Sequence, residues 1–65
     1  MTDGDVWRAR VVMKLKILAF HMDETAKELR ELAESEPECL QHAEELASAA
    51  EIARGWAAGV SRGGR

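Results

Sequence analysis

The sequence predicts an all-α fold: an antiparallel helical hairpin that dimerises into a four-helix bundle. Three observations carry that expectation. No Gly, Pro or Asn interrupts residues 6–35, and one strong break, Ser35-Glu-Pro-Glu38, follows. The segments on either side of it carry apolar stripes at helical spacing that match across the break. The organisation expected is one hairpin domain over residues 1–60, followed by a flexible tail at 61–65. Its first helix covers about 4–34, its turn 35–37 and its second helix about 36–59.

Thr2-Asp-Gly-Asp5 reads as the start of the first helix. Thr2 or Asp3 can accept backbone N–H bonds, and the acids sit at the positive end of the helix dipole. The helical stripe is Val11, Leu15, Leu18, Met22, Thr25, Leu29 and Leu32. The same region also alternates: Trp7, Ala9, Val11, Met13, Leu15 and Ile17 fall on one face of a strand, with Arg8, Arg10, Lys14 and Lys16 opposite. A strand over 7–17 needs a loop before the next element, and only Asp23 marks one. The helical stripe crosses Asp23 in phase, so the helix is preferred and the strand stays as the alternative.

At the break, Ser35 and Glu38 fit a capping box, and Pro37 suits a first helical turn, where its missing N–H is not needed. The second helix keeps a heptad rhythm through Cys39, His42, Leu46, Ala49, Ala53, Trp56 and Val60. If the chain reverses near Ser35 and Glu36, these meet the first stripe layer for layer, from Leu32 with Cys39, through Leu15 with Trp56, to Val11 with Val60. The expected hairpin core is therefore Val11, Leu15, Leu18, Met22, Leu29, Leu32, Leu46, Ala49, Ala53 and Trp56. Asp23 with Lys27, Lys27 with Glu31 and Arg30 with Glu34 are i,i+4 pairs of opposite charge on the surface.

A chain of 65 residues buries only about 60% of its unfolded surface, so a second subunit is the expected support. The lone cysteine, Cys39, closes no intrachain disulfide and suits a reducing cytoplasm. The apolar run from Leu15 to Met22 is far short of the roughly 20 residues that span a bilayer, and no cleavable signal is visible. A cytoplasmic protein without a membrane partner is expected. The formal charge of −3 hides an asymmetry, with four basic and two acidic side chains in residues 1–22 against five and ten in residues 23–65.

Met13, Ile17 and Phe20, extended by Val6, form a second apolar stripe that the hairpin seam does not use. Soluble proteins reserve such rows for interfaces, so these residues, with Trp7, Arg8 and Arg10, are the candidate surface for a dimer or a partner. Cys39 and His42 have an i,i+3 spacing that suits zinc, yet two ligands are few, and a buried thiol beside a hydrogen-bonded imidazole accounts for them. No metal or cofactor is expected. Nor is catalysis, since there is no phosphate loop and no nucleophile with a base at useful spacing.

In form the sequence resembles the Rop/Rom regulators, and His42-Ala-Glu-Glu-Leu46 is similar to that family's second helix. That resemblance implies a helical hairpin dimer that binds paired RNA loops, with Phe20, Lys14 and Lys16 as loose analogues of its binding residues. Length and the Ala/Arg/Gly/Glu-rich composition also resemble small phage-encoded host-takeover proteins, including anti-activators of quorum sensing. This second resemblance implies a homodimer that inhibits a host protein such as a transcription regulator. On the strand alternative, residues 7–17 followed by two helices look like a ribbon-helix-helix repressor, with Arg8, Arg10, Lys14 and Lys16 reading DNA. The function expected is a small non-enzymatic protein that binds and modulates or inhibits another protein, with a nucleic-acid-binding regulator as the alternative.

Overall fold

The computed structural model describes residues 3–63, and these form two helices, α1 (Asp3–Leu32) and α2 (Cys39–Arg62). They pack against each other as an antiparallel hairpin with Cα extents of 51 × 16 × 9 Å. Residues 7–17 lie inside α1, so the strand and the ribbon-helix-helix reading built on it are set aside. α1 opens with Asp3 and Asp5 in its first turn and closes with Arg30 in its last, both favourable to the helix dipole. The expected cap at Thr2 lies outside the described residues. Neither helix is long and apolar enough to cross a membrane.

The turn is built differently from the capping box that its sequence suggests. The Ser35 hydroxyl donates back to the Leu32 carbonyl at 3.2 Å, as do the backbone N–H groups of Ser35 and Glu36, so Ser35 finishes α1. The Cys39 N–H donates to the Glu36 carbonyl at 2.9 Å, a turn in which Pro37 supplies its fixed φ at the second position. Glu38, at the head of α2, makes no side-chain cap. At the other end α2 runs on through Ser61 and Arg62, so these two expected tail residues are helical, while Gly64 and Arg65 lie outside the described residues.

The seam between the helices is an alanine seam. Ala19 and Ala26 of α1 and Ala43, Ala50, Ala53 and Ala57 of α2 are buried, with Cys39. Met22 packs against the cluster of Ala19, Ala50 and Ala53. Leu15, Met22, Leu29 and Leu46 are half-buried beside it. The expected core is thus corrected. Leu15, Met22, Leu29, Leu46 and Ala53 belong to the seam and Ala49 is half-buried at its edge, but Val11, Leu18 and Leu32 are exposed, and Trp56 is 61% exposed. Each helix is rotated by one position from that expectation. Ala19, Ala26 and Ala33 stand in place of Leu18, Thr25 and Leu32, and Ala43 and Ala57 in place of His42 and Trp56, while Val12 for Val11 and Ala50 for Ala49 leave the size unchanged. The physical reason is size: alanine lets the two backbones approach closely, whereas Leu18 and Trp56 in the same place would hold them apart.

Candidate interaction surfaces

A two-helix hairpin is a slab with two broad faces, one on each side of the seam. The ion pair between Arg54 and Asp23, which crosses from α2 to α1, marks one of them. Arg54 also holds Glu51 at 3.0 Å. Hydrogen bonding to Asp23 is the largest effect raising the basicity of the Arg54 guanidinium; desolvation opposes it, and the charges of Asp23 and Glu51 add to it. The sequence reading paired Asp23 with Lys27. In the structure Lys27 pairs instead with Glu24 at 3.3 Å.

Near the open end of this first face lie two adjoining concavities of ≈ 440 Å³ each, which share Lys16 and Ser61. Ala9, Val12, Ala57 and Ala58 contribute apolar lining, and Arg8, Met13 and Arg54 also border them. Met13 belongs to the stripe singled out from the sequence, and that stripe is exposed as a unit. Val6, Met13, Ile17 and Phe20 are all exposed, Met13 at 63% and Phe20 at 58%. Helical spacing places them on the outer side of α1, next to the concavities. Phe20 meets His21 edge-on, with ring centroids 5.6 Å apart.

Trp7, Arg8 and Arg10 do not form one cluster. The Arg10 guanidinium lies 4.9 Å from the centre of the Trp7 ring, a cation–π contact on the surface. Arg8 turns instead toward the seam: it is half-buried, pairs with Asp5 at 3.4 Å and approaches Gly63 at the end of α2.

The second broad face is the one that the sequence reading had placed in the core. It carries Val11, Leu18, Thr25 and Leu32 from α1, with His42, Ala49 and Trp56 from α2. None of these seven positions is charged. Ile52, 54% exposed, extends it along α2. This face was missed because its residues had been assigned to the seam; their large volumes beside a column of alanines were the signal that could have found it.

Cys39 is buried while His42 is exposed, so the two do not form a shared buried site. Burial pushes the Cys39 thiol up from its ordinary pKa, and the charges of Glu36 and Glu38 push the same way, which keeps it protonated and weakly nucleophilic. Among the described residues there is no cluster of three or more His, Cys, Asp or Glu side chains and no buried polar side chain. What the surface offers is apolar area with charged borders. Compared with protein-family models, curated proteins and solved structures, the chain matches none.

Proposed function

We propose that the protein is a small non-enzymatic module that dimerises into a four-helix bundle and modulates another protein by occupying its surface. The observation that carries this reading is the presence of two separate apolar surfaces outside the alanine column that joins the two helices. One is the uncharged broad face and the other is the stripe of Val6, Met13, Ile17 and Phe20. Rows of large exposed side chains on so small a molecule are interface material. The stripe lies beside an apolar groove bordered by Lys16 and by the Arg8–Asp5 ion pair, a combination that suits an amphipathic segment of a partner protein with an acidic residue placed to meet Lys16.

The test compares the wild-type chain with the triple variant Met13→Ser, Ile17→Ser, Phe20→Ser, each immobilised and exposed to a lysate of the organism that encodes it. A protein held by the wild type and lost by the variant, with helicity unchanged, is the expected result. Equal retention by both would remove the stripe from the mechanism. RNA captured with steep salt dependence, in place of a protein, would replace this reading with nucleic-acid binding through the basic open end.

A further inference from the structure

We infer that a second copy of the chain docks on the uncharged broad face centred on Leu18 and Trp56, with its ends reversed, so that each turn lies beside the partner's open end. This rests on the dimeric part of the reading above and adds to it the face and the direction.

The seam itself is unfinished on that side. Its alanine column is buried, but Leu15, Met22, Leu29 and Leu46 are only half-buried, and no large side chain among the described residues is fully buried. Apolar residues at both seam columns and along one flank are the pattern of a helix facing the core of a bundle; a bare two-helix seam uses the two columns alone.

The area agrees with a second layer. A folded monomer of 7.2 kDa is expected to expose about 4,100 Å², and this chain exposes 4983 Å². The elongated shape of the slab accounts for that excess, and a standard interface takes ~800 Å² from each partner. A face with a Cα footprint of 51 × 16 Å can supply it.

Charge selects the occupant and its direction. The seven flank positions carry no charge, and the charges that border them differ by end. Lys14 lies beside Val11 and Leu18 toward the open end, and Glu44 and Glu45 lie beside Ala49 and Ile52 toward the turn, so an identical face meets it without like-charge contact when the ends are reversed. The slab is likewise polarised along its length. The open half, residues 3–22 and 49–63, has six basic and three acidic side chains, a formal +3. The turn half, residues 23–48, has two basic and nine acidic, a formal −7. Reversed docking sets +3 beside −7 twice, whereas docking in the same direction sets −7 beside −7. Helix layers in a bundle lie ~8–10 Å apart, comparable to the ~8 Å screening length at physiological salt, so the rims sense this difference.

The geometry closes on itself as a two-fold dimer must. Ala19 and Ala53 pack near mid-length, and Leu18, Ile52 and Trp56 lie within one turn of that layer. A two-fold axis through the middle brings these side chains together with their copies at the centre, where interface anchors concentrate.

The test uses the purified full chain. Sedimentation is expected to give a dimer at micromolar concentration. A spin label at Glu36→Cys in a Cys39→Ala background is expected to give an intermolecular distance on the order of the 51 Å length. Leu18→Lys is expected to weaken dimerisation at least ~10-fold. A monomeric wild type would overturn the inference while leaving partner capture by the Met13 stripe intact. Label separations well under half the molecular length would overturn the reversed direction. A folded Leu18→Lys chain that stays fully dimeric would overturn the choice of face. Should that variant fail to fold, the label distance still decides.

Discussion

Replacing Ala50 by Leu tests the alanine seam directly. Ala50 is 0% exposed, packs with Ala19 and Ala53, and has Met22 against the same cluster. The new side chain adds three carbons. In an open apolar site each would contribute ~0.8 kcal/mol of transfer free energy. Here they meet alanine on alanine, and the backbones must separate or the side chain must leave its rotamer, which typically costs about 1–3 kcal/mol. A chain of 65 residues has a total stability of roughly 3–10 kcal/mol at 0.05–0.15 kcal/mol per residue. The loss is therefore large on that scale, and the melting temperature should fall by roughly 5–20 °C. Far-UV circular dichroism at one fixed protein concentration measures it, because association shifts the midpoint. Ser48→Leu, two residues away on the exposed edge of α2, controls for adding a leucine and should stay within about 0.5 kcal/mol. If Ala50→Leu melts at or above the wild-type temperature, the helices do not meet through this column. A seam through Ala49 and Trp56 would behave that way.

Gly55 sits inside α2 with nothing within 4 Å of the position a Cβ would take. Gly55→Ala is therefore expected to stabilise the chain by about 0.5–1 kcal/mol in denaturant unfolding, and destabilisation would show that something covers that edge. Cys39 gives a pH signature. Its pKa is raised by burial first and then by Glu36 and Glu38, so its thiolate is the disfavoured form. The resulting stabilisation is complete below the ordinary thiol range and is lost as pH rises through the raised value. The drop in urea midpoint from neutral to alkaline pH should be larger in the wild type than in Cys39→Ala, and equal drops would refute the assignment.

The helical hairpin was legible because its signals are local and strong: an uninterrupted run to Ser35, one proline, and two stripes of matching length. Leu15, Met22, Leu29, Leu46 and Ala53 were placed correctly because they lie on the edge common to both ways of orienting the helices. The rotation about that edge was not legible from hydrophobicity. Val11, Leu18 and Leu32 are as apolar as any seam requires, and ranking by apolar size favours Leu18 and Leu32 over Ala19 and Ala33 and does not separate Val11 from Val12. Close packing favours the smaller set, since a seam only two helices wide gains more from backbone proximity than from bulk. Once Ala19 faces Ala53, Asp23 and Arg54 fall on the same flank, and their ion pair follows. The sequence reading missed that pair because it had turned both helices the other way. The capping box failed for a local reason: Ser35 already had the Leu32 carbonyl within reach of its hydroxyl.

The same rotation links the fold to the proposed mode of action. Had the large side chains closed the hairpin, α1 would have kept one spare stripe, and dimerisation and partner binding would have competed for it. With alanine in the seam, the large side chains move to a broad face of their own, and the Met13 stripe remains on the outer side of α1, beside the opposite face. A dimer closed through Leu18 and Trp56 therefore leaves two copies of that stripe outward. Two sites on one rigid bundle bind a dimeric target with an avidity that a single hairpin lacks. A target presenting two equivalent surfaces, separated by a distance that the bundle can bridge, is the arrangement this geometry favours. On this account a variant that dissociates the dimer weakens target binding even though it touches no residue of the stripe.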